Sequence, residues 1–307
     1  MGDVIHTLPI VTRLHQAWPE AEIAWLIHPA LKELLKDYAA VRKIIFFPRE
    51  EFRGFRGALK AFIWMRTLRE WKPDLAIDLQ GLLRSALMAR FSGASFTLGL
   101  SDAREGAALF YSSYALVDPK AHALKRYSQV LEKLAISSEG LSFQLPEGRI
   151  PADFSLSSPF VVIHPYARGK GKSLTREQVL AFAEGVKPSP VVLLGKGPSM
   201  KPLVENIFDW SGKTNLLELI GLLRHASFVV SSDSGPMHLA AALQPRRLVA
   251  IHRWSDPRRV GPYGQDTLVW KNGELKPQRD WGEEAGRFGR APTLEEMKAL
   301  GRMIAQQ

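Results

Sequence analysis

With 307 residues, 46% of them hydrophobic and 23% charged, the chain can bury the cores of two ordinary domains, and this composition excludes a disordered protein. The lack of cysteine excludes disulfides, thiolate nucleophiles and cysteine-ligated zinc, and no His-Glu-x-x-His spacing offers another metal site, so no metal or other cofactor is expected. A net charge of +10 predicts attraction to polyanions; the basic residues are dispersed without a nucleic-acid motif, which favours an anionic membrane surface or a phosphorylated glycolipid over nucleic acid.

In chain order, the string Gly2-Asp3-Val4-Ile5-His6-Thr7-Leu8-Pro9 comes first, followed by apolar strand candidates at 22–27, 43–47 and 74–78 separated by amphipathic stretches. That alternation predicts βαβ units and a parallel sheet. Between the second and third strands, Arg53, Arg56, Lys60, Arg66 and Arg69 are interleaved with Phe52, Phe55, Phe62 and Trp64 in a helical pattern. This helix has two readings: a basic and aromatic face that docks a phosphorylated lipid at a membrane, or a core stripe with a solvated charged face. A helix over 121–134 leads into the stretch 136–158, rich in Ser, Pro and Gly, which is expected to link two domains, 1–150 and 151–307. A second α/β series follows at 160–164, 190–195, 228–230 and 248–251, and a last helix at 293–305. No apolar run approaches the roughly eighteen residues of a membrane span and no signal-peptide pattern opens the chain, so a cytoplasmic location is expected.

The junction after the strand at 228–230 carries the most chemistry. Ser231-Ser232-Asp233-Ser234-Gly235-Pro236-Met237-His238 joins that strand to an apolar helix, with Pro236 suited to the first helical turn. The free N–H groups of such a helix start, backed by the helix dipole, would face an anion, and Asp233 would stand beside it at the carboxyl end of the strand. Asp233 and Ser234 also fit an ordinary cap, and His238 a satisfied core histidine. The loop after His164 brings Arg168, Lys170 and Lys172 together with Gly169 and Gly171, a flexible cationic loop that can approach a ligand or simply be solvated. Gly195-Lys196-Gly197-Pro198 follows another strand and is expected to line the same pocket.

Taken together, the Gly2 to Pro9 string, Asp78-Leu79-Gln80-Gly81-Leu82-Leu83-Arg84-Ser85, the loop from His164 to Lys172, the Asp233 to His238 string and Asp256-Pro257-Arg258-Arg259-Val260-Gly261-Pro262-Tyr263-Gly264 resemble glycosyltransferase family 9, the ADP-heptose:lipopolysaccharide heptosyltransferases. The resemblance spans nearly the whole chain. It implies a GT-B fold of two Rossmann-like domains with a cleft between them, an ADP-sugar donor, a lipid A-containing or other phosphorylated glycolipid acceptor, inverting transfer without a required metal, and a peripheral place on the inner face of the inner membrane. By the same resemblance Asp3 is the base and Lys172, or else Lys170, meets the donor phosphates. Arg168, Gly195, Asp233, Ser234, Gly235, Pro236 and His238 complete the donor site, and Arg84 and Arg104 sit in segments that resemble the acceptor-binding region, to which the basic and aromatic pattern of the helix adds Arg53, Arg56 and Lys60. The C-terminal helix of a GT-B fold commonly packs back toward the first domain.

Two departures matter. In the family a short apolar strand precedes the Gly-Asp motif, whereas here Gly2-Asp3 follow Met1 directly; a truncated start is expected, with Asp3 left in a fraying loop. The family's acidic residues after the Gly195 loop are absent from Ser199-Met200-Lys201. These departures keep open a non-catalytic nucleotide-sugar-binding protein and a transferase for another sugar. A dinucleotide-dependent dehydrogenase is disfavoured, because no strand is followed by Gly-x-Gly-x-x-Gly.

Overall fold

The computed structural model describes residues 1–307 other than Arg53, Ser157, Lys170 and Gln265. The chain divides into two compact α/β units: residues His6–Gln144, and residues Leu145–Gln307 joined by Met1–Ile5.

Helix α1 (Gly2–Ala17) begins with Asp3 in its first turn, where a carboxylate is favoured by the helix dipole, and Ile5 N–H already bonds Met1 O at 3.0 Å. This corrects the expectation of a fraying loop: Asp3 is exposed, but it is a helical residue. Pro9 lies inside α1 and cannot donate to the carbonyl of Ile5, the last residue that clusters with the far unit. Beyond it Leu8, Ile10, Val11 and Leu14 enter the core of 6–144, and Tyr38 pins the helix by donating to Leu8 O at 2.6 Å while meeting Thr12 Oγ1 at 2.6 Å.

The strands of this unit fall into two separate parallel sheets. β1 (Ala24–Ile27) pairs with β2 (Lys43–Phe46), and β3 (Leu75–Ile77) pairs with β4 (Phe96–Leu100), which pairs with β5 (Ser113–Ala115). The N-terminal segment contributes helix α1, and β1 and β3 are each the edge of a small sheet. Helices α2 (Gly54–Arg69) and α3 (Leu83–Phe91) follow β2 and β3, and α4 (Ala123–Lys133) buries Leu124, Tyr127, Val130 and Leu131 at helical spacing after His122 caps it by accepting from Leu124 N–H.

The stretch after α4 is irregular as expected, but it is not a free linker. Arg224 on α6 (Leu216–His225) donates to the carbonyls of Pro146 and Glu147 at 3.0 Å each, Arg149 N–H donates to Leu217 O at 3.0 Å, and Gly221 leaves room for the Arg149 backbone. A polar segment without regular structure is thus held by one arginine that satisfies its carbonyls.

The second unit holds one sheet in the order β12-β11-β10-β9-β6-β7-β8, parallel except for the terminal β11–β12 pair. Its strands are β6 (Val161–His164), β7 (Val191–Leu193), β8 (Ile207–Asp209), β9 (Phe228–Ser232), β10 (Leu248–Ile251), β11 (Leu268–Lys271) and β12 (Glu274–Pro277). The central β6, β9 and β10 are buried at every residue, as apolar runs covered on both faces must be. Helix α5 (Arg176–Gly185) starts with the Thr175/Gln178 capping box, and α9 (Leu294–Ala305) with Thr293/Glu296. The apolar face of α9 is taken up by α5 of its own unit: Met297, Leu300 and Ile304 share a core with Val179 and Phe182, and Gly185 has no space for a Cβ against Lys298 O. Helices α7 (Gly235–Leu243) and α8 (Pro257–Val260) follow β9 and β10.

Candidate functional site

The end of β9 is built from fully buried serines. Ser232 Oγ donates to Pro165 O at 2.9 Å, tying the strand end to the loop after β6. Asp233 then turns out of the sheet, its N–H bonded to Ile251 O at 3.2 Å. Its carboxylate Oδ2 takes the Lys172 ammonium at 3.1 Å and the Ser255 hydroxyl at 2.6 Å. The loop after His164 and the strand-turn-helix junction, separated by sixty-one positions in sequence, therefore meet through Lys172 and Asp233.

The same carboxylate is supported from behind. His252, wholly buried, holds Ser255 Oγ with Nδ1 at 3.0 Å, and Nε2 lies 3.3 Å from Met237 Sδ. Lys271, also wholly buried, donates to the carbonyls of Arg253 and Ser255 at 3.0 Å each. Burial works to raise the Asp233 pKa, but His252, the Ser255 hydroxyl and Lys172 outweigh it and leave the carboxyl below its ordinary value. Burial also drives His252 down to about 4, against the pull of Asp233, and His164 to about 4. Both rings are neutral at physiological pH, where the Ser255 hydroxyl and the Lys172 ammonium are the neighbours that favour the charged Asp233 carboxylate.

Helix α7 begins beside this pair. Ser234 occupies the cap position with extended backbone but makes no side-chain capping bond; its Oγ instead lies 3.4 Å from His164 Nδ1. Pro236 sits in the first turn, as expected, and Gly235 has no room for a side chain because Met1 lies against it. His238 faces Gly2, where an added Cβ would come within 2.8 Å of the ring. Asp3 thus follows a residue packed on α7, and Asp3 and Arg168 both act on the N-terminal amine, whose pKa burial lowers. Gly195 has φ +114° and its missing side chain leaves space for His164 and Tyr166. The Arg253 guanidinium bonds Gly171 O, and Trp254, half exposed, stacks edge-on against Phe288 at 4.3 Å.

Of the expected donor-side residues, Asp3, Arg168, Lys172, Gly195, Asp233, Ser234, Gly235, Pro236 and His238 all lie in the unit formed by 145–307 and 1–5. Lys170 lies outside the described residues. In the other unit, Arg84 stands in the first turn of α3 with its guanidinium 5.6 Å from the Phe47 ring, and Arg104 is exposed, its N–H bonded to Gly81 O at 2.8 Å. Arg56 and Lys60 are exposed on α2, Lys60 with Glu51 at 3.6 Å, and Arg53 lies outside the described residues. Asp78 serves the fold: it accepts from Gln80 N–H, Gly81 N–H and Tyr111 OH at 2.9, 3.2 and 2.7 Å, and Gly99 clears the space for the Tyr111 ring.

Sequence reasoning missed Ser255, His252 and Lys271. The available signal was the polar cluster His252-Arg253-Trp254-Ser255 directly after the strand at 248–251, since residues at the carboxyl ends of parallel strands surround the ligand in such sheets.

Two α/β units, one ending its central strands in an ionised aspartate, a lysine and the start of a helix, have the layout of a GT-B glycosyltransferase. The chain belongs to glycosyltransferase family 9 (heptosyltransferase), whose model matches residues 62–286, and it is a glycosyltransferase. Lipopolysaccharide core heptosyltransferase OpsX of Haemophilus influenzae is 23% identical over 96% of this chain and 88% of its own length. Lipopolysaccharide heptosyltransferase 1 of Escherichia coli K12 is 26% identical over 88% of this chain and 90% of its own. Among solved structures, E. coli heptosyltransferase WaaC with ADP superposes with a TM-score of 0.69 at 24% identity, covering 88% of this chain and 89% of that one. A family 9 glycosyltransferase from Veillonella parvula gives 0.73 at 21% identity, covering 88% and 82%. Among the described residues no helix is long and apolar enough to cross a membrane.

Proposed function

We propose that this enzyme moves a heptose from ADP-heptose to an inner-core lipopolysaccharide acceptor, with inversion at the anomeric carbon, at the cytoplasmic face of the inner membrane. The observation that carries the reading is the Lys172–Asp233–Ser255 cluster beside the uncapped start of α7. In the reaction the acceptor hydroxyl loses its proton to a base as its oxygen attacks the anomeric carbon, and the bond from that carbon to the diphosphate breaks. Negative charge grows on the departing ADP. Lys172 and Arg168, with the backbone N–H groups of Ser234 and Gly235 and the positive end of the α7 dipole, are assigned to receive it; that all of them lie in one unit supports the reading. Both bonds to Asp233 end on Oδ2, and Oδ1 is assigned to the hydroxyls of the donor sugar. Gly195 lines the nucleotide pocket and His238 supports the α7 turn. Asp3 is assigned as the base, held by the first turn of α1. Arg84 and Arg104, with Arg53, Arg56 and Lys60, are assigned to the phosphorylated glycolipid acceptor.

Titration calorimetry of Asp233→Asn tests the reading. The amide keeps the size of the side chain but loses its charge, so affinity for ADP alone is expected to hold, while affinity for ADP-heptose falls by about tenfold or more. An equal loss for both ligands would mean that Asp233 only holds the turn together.

One observation favours a second reading, a nucleotide-sugar-binding protein without turnover. The sheet of residues 6–144 is split into two pieces while the donor-side sheet is whole. Stoichiometric binding of ADP-heptose with no transfer to any lipid A-containing acceptor would select it.

A further inference from the structure

Helix α2 carries two apolar stripes, and only one is needed by the fold. Gly57, Ala61, Trp64 and Leu68 recur four, three and four positions apart and face inward; Gly57 and Leu68 are buried, and Trp64 packs its ring among Phe47 and Phe52 while donating to Phe46 O at 3.1 Å. On the opposite side Phe55, Leu59, Phe62 and Ile63 follow the same helical spacing, yet they are 95%, 63%, 62% and 54% exposed. Contiguous apolar side chains at such exposure mark an interaction surface.

The charges on the helix say what that surface meets. Gly54–Arg69 contains Arg56, Lys60, Arg66 and Arg69 and no acidic residue. All four are exposed; among the described residues Lys60 alone of the four approaches a carboxylate, Glu51 of the preceding turn, at 3.6 Å. An exposed apolar ridge flanked by cations, on a helix roughly 24 Å long, matches the acyl boundary and phosphate layer of an anionic bilayer. A protein partner of ordinary composition would leave several of these cations unpaired at its edge.

We propose that α2 is the membrane-docking element of this enzyme: it lies in the plane of an anionic bilayer with Phe55, Leu59, Phe62 and Ile63 inserted below the headgroups and Arg56, Lys60, Arg66 and Arg69 among the lipid phosphates. The proposal deepens the reading of a lipid-linked acceptor by naming the surface that reaches the lipid.

The test is co-sedimentation of the full chain with phosphatidylethanolamine vesicles made with and without phosphatidylglycerol, at low and high salt, for the wild type and for Phe55→Ser/Leu59→Ser/Phe62→Ser. The wild type is expected to bind the phosphatidylglycerol vesicles and to be released by salt, and the triple variant to bind on the order of a hundredfold more weakly. Because the three side chains are exposed, the variant is expected to keep the wild-type melting temperature and its rate on an acyl-free acceptor. Undiminished vesicle binding by the variant overturns the proposal, as does a wild type that ignores the vesicles. A concentration-dependent dimer that disperses in the variant overturns it too, by making the ridge a self-association face. Vesicle binding as expected with no transfer to the acyl-free acceptor defeats the function reading and leaves the docking helix standing.

Discussion

In β6, β9 and β10 every residue is buried; in β1, β2 and β3 only Ile27 is. Both sets are parallel strands in α/β units of the same chain, with apolar sequences of similar strength, so composition does not account for the difference. Continuity does. In residues 145–307 each central strand has neighbours on both edges, whereas in 6–144 the strands fall into two separate sheets, β1-β2 and β3-β4-β5, so that β1, β2 and β3 are all edge strands. A parallel sheet protects the strands that have neighbours on both edges, and β4, between β3 and β5, is buried at four of its five residues. Enclosed polar groups are common to both units: His164, His252 and Lys271 are buried in one, and His6, Asp78 and His122 in the other.

The comparison is sharpened first by acid. His164 and His252 both lie in 145–307, and burial lowers each to about 4. The unfolded chain, with ordinary histidines, binds protons more readily than the folded one in this range, so the stability they contribute is complete above about pH 6.5 and is lost as the pH falls toward about 4. The two together are expected to cost the second unit on the order of 5 kcal/mol across that window. Urea midpoints followed against pH should show this slope, and His252→Asn should reduce it by about half; a flat profile would mean that these rings are not held neutral by burial.

Native-state hydrogen exchange addresses the sheets directly. Amides of β6, β9 and β10 are expected to exchange on the order of a thousandfold more slowly than those of β1, β2 and β3. Equal protection would break the comparison, because it would show the divided sheet opening only with the whole molecule.

The smallest effect is local to the site. Lys271→Met preserves the length of a buried side chain but takes the ammonium donor from the Ser255 carbonyl and leaves the Arg253 carbonyl with Gly289 N–H alone, at a cost of about 2 kcal/mol. Chemical denaturation should register the loss in the second unit, with residues 6–144 unaffected. A neutral result would assign those carbonyls to water.

Much of this was legible in the residues. The strands at 161–164, 191–193, 228–232 and 248–251 contain the apolar runs 161–163, 191–193, 228–230 and 248–251, and the helices at 176–185 and 294–305 announce their starts through Thr175/Gln178 and Thr293/Glu296. The junction at Asp233 and the cationic loop before Lys172 could be found because turn residues, glycines and cations cluster there. The short strands β4, β5, β8, β11 and β12 were missed: Phe96–Leu100 contains a glycine, and the others are three or four residues each, too short for a period to register.

By itself, then, the sequence determined the α/β class, the family motifs and the order of the main elements, because periodicity and turn chemistry act between near neighbours. Only the tertiary structure decided that Lys172 pairs with Asp233, that Ser255, His252 and Lys271 stand behind that pair, and that Met1–Ile5 cluster with the far unit. It alone decided, too, that one apolar stripe of α2 is buried and the other exposed. These are matters of which surfaces are covered by segments distant in the chain, and no local pattern records what will lie against a residue once the sheets have formed.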